Sequence, residues 1–185
     1  MLILASQSPR RQELLTRAGF EFVVRVADVD ESVHPHENPE DYVQRLAQEK
    51  ATAVDCGPDE IVLGADTVVV MKGEIFGKPR DAEDASRMLH ELQGRKHEVL
   101  TGVCLRSARK SCRDYASTEV WVLPMNDADI RDYVNTGEPL DKAGAYAIQG
   151  LASKFIERIH GPYSYVVGLP VALVWRMLRS FDKED

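Results

Sequence analysis

IVLGADTVVVMKGEIFGKPRD, residues 61–81, opens as an apolar run with one carboxylate, Asp66, inside it. Ile61-Val62-Leu63 and Val68-Val69-Val70 have the β-branched, near-continuous apolar composition of a buried strand. An unpaired carboxylate in such a strand would cost several kcal/mol, so Asp66 is expected to be protonated, paired or metal-bound. Buried acids of this kind cluster at functional sites, although a structural aspartate satisfied by backbone amides is the alternative. Lys72-Gly73 reads as a turn, and Glu74 to Phe76 as a short return strand.

Working outward, the N-terminus holds a short apolar strand, Leu2 to Ala5, that runs into LASQSPRRQELL, residues 4–15. Ser8 is a suitable helix N-cap, Pro9 fits the first helical position, and Leu14, Leu15 and Ala18 supply an apolar face. This puts Arg10 and Arg11 in the first turn, where the helix dipole disfavours cations. Two arginines beside free backbone N–H groups suit a bound anion, phosphate above all; a solvated basic pair is the plainer reading.

The next helix starts at the Asn38 cap, with Pro39 at its first position and Glu40 and Asp41 in its first turn, and runs to about Val54. At about 100° per residue, Val43, Ala47, Lys50 and Val54 share one stripe. Lys50 thus sits in an apolar face, either snorkelling outward or aimed into a pocket of carboxylates or phosphates. Lys78, in Gly77-Lys78-Pro79-Arg80, follows the Asp66 strand pair and could reach the same place.

The rest of the chain alternates strands and helices without repeats. Glu21 to Val26 reads as a strand and Asp28 to Asn38 as an acidic, His-containing loop. Asp81 caps a helix with Ala85, Met88, Leu89 and Leu92 on its apolar face, ended by Gly94. His97 to Leu105 and Tyr115 to Leu123 are β-rich arms around a polar turn, a long hairpin. Asn126 caps a helix closing at Gly137; a turn-rich stretch, a short strand, a Gly161-Pro162 loop and a last helix from near Leu169-Pro170 follow. The class is α/β.

The chain has 185 residues, one domain or two small lobes, and a net charge of −7. That charge argues against a general nucleic-acid or anionic-membrane binder, while leaving room for a small polyanion at a local basic pocket. The three cysteines, Cys56, Cys104 and Cys112, show no CxxC spacing, which fits a reducing compartment rather than a disulfide framework or zinc cluster. The opening apolar run is too short for a signal peptide and no window approaches a membrane span, so the cytoplasm is the default compartment.

LASQSPRRQELL, GADTVVV…GEIFGKPRD, HEVLTGV, TGEPLDKAGAYAIQG and GPYSYVVGLP, in this order and spacing from residue 2 to about residue 178, resemble the Maf family of nucleoside triphosphate pyrophosphatases. The resemblance implies a single domain over 1–185. Its fold would be like that of the inosine triphosphate pyrophosphatases: a long twisted mixed sheet with two lobes flanking a cleft. It also implies hydrolysis of a nucleoside triphosphate to monophosphate and pyrophosphate with Mg²⁺ or Mn²⁺, a cytoplasmic location, and, as in many members, a homodimer. Carried over by motif, the proton acceptor falls on Asp66. The phosphate surroundings fall on Ser8, Arg11, Lys50 and Lys78, and the metal ligands on Glu31 and Asp66. The pattern divides metal binding and base chemistry between those two carboxylates without deciding which does which.

Arg10, Thr67 and Gln149 resemble the members acting on thymidine and uridine triphosphates; the branch acting on 7-methylguanosine triphosphate typically has Trp, Gln and Glu there. A Gln amide can donate to pyrimidine O4 and accept from N3–H, whereas Glu only accepts and suits the donor edge of guanine. The leading expectation is a housecleaning enzyme for dTTP, UTP and modified pyrimidine nucleotides. The alternatives are a nucleotide-binding regulator of septum formation with little turnover, and a 7-methyl-GTP pyrophosphatase.

Overall fold

The computed structural model describes residues 1–26 and 28–181; Ala27 and the last four residues of the expected 1–185 domain lie outside the described residues. The α/β class and the mixed sheet are as expected. Strands β1 (Leu2–Leu4), β2 (Phe22–Val24), β3 (Ile61–Met71), β4 (Glu74–Phe76), β5 (Lys96–Arg106), β6 (Ser111–Val122) and β7 (Ile156–His160) form one seven-stranded sheet. Its order is β2-β1-β3-β5-β6-β7, with β4 paired to β3 off this path. β1 runs parallel to both β2 and β3, while β4 pairs with β3 and β7 with β6 in antiparallel fashion.

Four helices begin at capping residues legible in the sequence. Ser8 caps α1 (Pro9–Arg17), Asn38 caps α2 (Pro39–Thr52) and Asp81 caps α3 (Ala82–Leu92). Asn126 caps α4 (Asp127–Val134) through a capping box with Asp129, each side chain accepting from the other's backbone N–H. α5 (Tyr163–Val167) and α6 (Val171–Phe181) close the chain. Where a Gly-Pro loop was expected to lead straight to the last helix, α5 intervenes. The expected turn-rich stretch, Glu138 to Gly150, holds two short 3₁₀ helices, Glu138–Asp141 and Ala143–Ala145, and a third, Leu151–Phe155, follows it; none has an amphipathic repeat to betray it. The expected second strand, Glu21 to Val26, shortens to β2. Among the described residues, no helix is long and apolar enough to cross a membrane.

The chain falls into two compact units. The first comprises Met1–Thr67, Thr101–Ala116 and the stretch from Gly168 onward; the second comprises Val68–Leu100 and Ser117–Val167. β3, β5 and β6 each contribute residues to both. In the first unit, Leu4, Leu15, Leu63, Leu105, Leu169 and Val174 form one apolar cluster, and Ile3, Ala47, Ala51 and Val62 another. In the second, Phe76, Leu89, Leu92, Val120, Ile130 and Tyr133 pack together.

The seating of α2 in the first unit depends on two glycines. A Cβ at Gly64 of β3 would lie 2.1 Å from the Ala47 carbonyl oxygen, and one at Gly102 of β5 would lie 2.2 Å from that of Val43. Without side chains at these two places, the helix backbone rests directly on the strand backbones. Gly64 stands two positions before Asp66, so this contact sets the reach from α2 to the carboxylate.

Candidate active site

Asp66 is buried, 7% exposed, as its apolar surroundings require. Lys50, from the apolar face of α2, meets it: the ammonium donates to Asp66 Oδ1 at 2.6 Å. The same Nζ lies 2.6 Å from Glu31 Oε1. Lys50 therefore does not snorkel outward; it joins one buried and one half-exposed carboxylate. Burial pushes the Asp66 carboxyl above its ordinary pKa, opposed by the charges of Lys50 and Arg11. The loop bearing Glu31 is fastened to α2, because the Tyr42 hydroxyl donates to the Glu31 carbonyl at 2.8 Å and Arg45 Nη2 to that of Ser32 at 3.0 Å.

Arg11 leaves the first turn of α1 and points inward. Its Nε donates to the Gly168 carbonyl at 2.8 Å, Nη1 to Ser6 Oγ at 3.1 Å and Nη2 to Thr67 Oγ1 at 3.1 Å. These partners are neutral, so the guanidinium is held in place without being neutralised, and burial lowers its pKa against the pull of Asp66. Thr67 also lies 3.0 Å from Thr101 Oγ1. Gly168 has φ +125°, a conformation that favours glycine, and its carbonyl is turned to Arg11.

The expected site residues divide between the two units. Ser8, Arg10, Arg11, Glu31, Lys50, Asp66 and Thr67 all belong to the first. The Ser8 hydroxyl accepts the Arg11 N–H at 3.4 Å, a capping bond, and Arg10 is half-buried in the same helical turn. Thr67, expected to face a base, spends its hydroxyl on Arg11, Thr101 and Gly168. Lys78 and Gln149 belong to the second unit, both exposed, one at a bend and one in a turn. Their segments are joined there, since the Gly144 N–H donates to the Gly77 carbonyl at 3.0 Å.

Sequence reasoning did not single out Ser6, Thr101 and Gly168, the residues that surround Arg11 and Thr67. Each lies inside a stretch quoted for the family resemblance. Gly168 reaches Arg11 across 157 positions and Thr101 reaches Thr67 across 34, contacts that no local pattern reports, while Ser6 is five positions from Arg11.

Among the described residues, no group of three or more His, Cys, Asp or Glu side chains is placed to hold a metal. Glu31 and Asp66 are a pair, drawn together by one ammonium. Such a pair fits Mg²⁺ or Mn²⁺ arriving with a polyphosphate, because Mg²⁺ commonly takes one or two carboxylates and completes its shell with phosphate oxygens and water. Chemically, the first unit offers a buried base, a shared ammonium and a fixed guanidinium, a set that could hold a polyanion and take a proton from water.

Comparison with known proteins gives a consistent result. The family model described as Maf-like protein matches residues 1–181. A dTTP/UTP pyrophosphatase of Anaeromyxobacter dehalogenans strain 2CP-C is 56% identical over 182 residues, covering 96% of this chain and 92% of its own. One from Escherichia coli O157:H7 is 47% identical over 183 residues, covering 98% and 93%. In fold, the chain is similar to a HAM1 protein from Coxiella burnetii, with a TM-score of 0.52 at 13% identity over 97% of this chain and 98% of that one. The chain belongs to the Maf-like protein family.

Proposed function

We propose that the protein hydrolyses dTTP and UTP, together with modified pyrimidine nucleotides, to the monophosphate and pyrophosphate, clearing them from the nucleotide pool. Near-full-length similarity to dTTP/UTP pyrophosphatases supports the reaction. The observation that carries the site is Lys50 shared between Asp66 and Glu31 beside a fixed Arg11. A cytoplasmic location and a homodimer accompany this reading.

In the reaction, a water oxygen forms a new bond to phosphorus as the bond between the α- and β-phosphates breaks. Asp66 accepts the water's proton; its raised pKa makes it a stronger base than an ordinary carboxylate. Arg11 and Lys50 hold the triphosphate and offset the charge that grows on the leaving pyrophosphate, a role the family resemblance gives to Lys78 as well. Ser8 and the start of α1 present the phosphates with the helix N-terminus. Glu31 and Asp66 would hold a divalent cation, which when bound would neutralise further charge on the triphosphate. Arg10, Thr67 and Gln149 select the base, Gln149 by offering a donor to O4 and an acceptor to N3–H.

Pyrophosphate release measured with Mg²⁺ or Mn²⁺ over dTTP, UTP, CTP, GTP, ATP and 7-methyl-GTP tests this. dTTP and UTP should be turned over well and the purines poorly, and Gln149→Glu should lose dTTP and UTP activity. Preference for 7-methyl-GTP in the parent, or an unchanged dTTP profile in the variant, would remove the pyrimidine assignment. Binding without release would favour a regulator.

A further inference from the structure

The turn that carries Gln149 is anchored by two side chains outside the proposed reaction. Glu138, in the first 3₁₀ helix, receives two bonds on its two oxygens. The Tyr133 hydroxyl donates to Oε1 at 2.8 Å, and the Leu151 N–H donates to Oε2 at 3.0 Å. Tyr133 in turn accepts the Ala147 N–H at 3.4 Å. The turn closes on itself through the Gly150 N–H to the Ala147 carbonyl at 3.0 Å. Ala147 and Leu151, each two positions from Gln149, are thus tied to one carboxylate–phenol pair. The approach is so close that a Cβ at Gly150 would lie 2.3 Å from Glu138 Oε2. Tyr133 is buried in the second unit's core, which makes the anchor rigid.

This arrangement answers a chemical problem. A Gln amide turned by half a revolution about its terminal bond exchanges its donor and acceptor, and so offers cytosine the reverse of the pattern it offers uracil. A glutamine on a mobile backbone would therefore choose poorly between UTP and CTP. Preference requires an amide held one way round, and a backbone fixed in place keeps it against the same neighbours and at the same distance from the base, since small displacements cost hydrogen-bond geometry steeply. Glu138 is suited to the task because an ionised carboxylate only accepts and can serve two donors at once.

We infer that Glu138, with Tyr133, is a positioning residue for base selection, holding the Ala147–Leu151 turn so that Gln149 reads uracil and thymine over cytosine. The inference rests on the base-reading role proposed for Gln149. Glu138 touches no substrate; it acts through the turn.

The test is the ratio of kcat/KM for UTP to that for CTP, with ribose 5-triphosphate, which has no base, as the control substrate. Glu138→Gln retains the side chain's size but has a single carbonyl oxygen, so one of the two donors loses its partner. We expect the UTP:CTP ratio to fall by about tenfold, the equivalent of one lost hydrogen bond. Ribose 5-triphosphate hydrolysis should stay at the parent's rate. Tyr133→Phe, which leaves the carboxylate in place, should move the ratio in the same direction and serves if Glu138→Gln folds poorly. In a Gln149→Ala background, where the ratio is already lost, Glu138→Gln should change nothing further, because the two residues act as a unit. A ratio that survives Glu138→Gln and Tyr133→Phe but collapses in Gln149→Ala would overturn the positioning role and leave the base-reading role standing. A ratio untouched by Gln149→Ala would overturn both. Equal losses on UTP, CTP and ribose 5-triphosphate would show Glu138 to be merely structural, and would likewise overturn the proposal.

Discussion

Helix α2 carries two cations toward carboxylates, Arg45 and Lys50, with opposite results. The Glu37 and Asp66 side chains they meet leave equally little surface to solvent, each 9% exposed, but Asp66 lies inside the protein and Glu37 is only half-buried. Yet Glu37 is held down to about 2, while Asp66 is raised above its ordinary value. The difference lies first in depth, since desolvation is what raises Asp66, and then in how many donors each oxygen pair receives. Arg45 grips Glu37 with Nε to Oε1 at 2.6 Å and Nη2 to Oε2 at 2.7 Å, and the His34 N–H adds a bond at 3.0 Å. Asp66 receives one ammonium, which it shares with Glu31, inside an apolar strand. A forked guanidinium makes a settled ion pair; a shared lysine leaves a carboxylate still able to take a proton. Burial depth and donor geometry together therefore separate a structural acid from a reactive one.

The sharpest way to break this contrast is Asp66→Asn. Turnover should fall by about 10²–10⁴-fold, the usual contribution of a general base. The melting temperature near neutral pH should not fall. A carboxyl raised in the folded state is more stable folded when neutral, so its ionised form costs stability there and the amide removes that cost. Circular-dichroism melting beside a pyrophosphate assay separates the two effects; near-normal kcat in the folded variant would take the base role from Asp66.

Lys50→Ala comes next. kcat/KM for dTTP should drop by the equivalent of about 1.5–3 kcal/mol, the range for charge-assisted hydrogen bonds. If kcat/KM holds and only the melting point moves, the ammonium serves the fold alone. The matching change on the other side, Glu37→Gln, should do the reverse, lowering stability by about 1 kcal/mol while turnover assayed below the melting transition stays near the parent's. A large loss of turnover with an unchanged melting curve would erase the distinction.

The smallest effect is in the acid limb of the stability curve. Glu37 ionises at about 2 in the folded protein against an ordinary value of 4.5, so the unfolded chain binds more protons in between. Its contribution to stability is complete above 4.5 and lost as pH falls toward 2. Unfolding free energies across that window should fall less steeply in Glu37→Gln than in the parent, and identical slopes would mean that Glu37 is not the group involved.

Much of this was legible in the sequence because its causes are local. Caps announce themselves within a turn, so Ser8, Asn38, Asp81 and Asn126 were readable. A lysine in an apolar stripe and an aspartate in an apolar strand each looked out of place, and they prove to be partners. What escaped reading was set at long range. Nothing near Arg11 announces that its Nε finds the Gly168 carbonyl, or that Thr67 is bound into the same network. What holds Glu37 down escaped too, because the forked grip of Arg45 is a matter of donor geometry that the sequence does not print.

The bare backbone contacts under α2 have a further consequence, for anyone mapping this protein by mutation. Any side chain at Gly64 must displace the helix from the strand, because the atom it would strike at 2.1 Å is a carbonyl oxygen that no rotamer change can move aside. Lys50 would retreat with the helix, and the grip on Asp66 would open. A random library scored only for turnover would therefore rank Gly64 beside Asp66 as indispensable, and a chemist reading that map would look for a reactive group at a position that has none. Its contribution is clearance, and tolerance to substitution measured along β3 would trace the mechanical seat of the helix as faithfully as the chemistry.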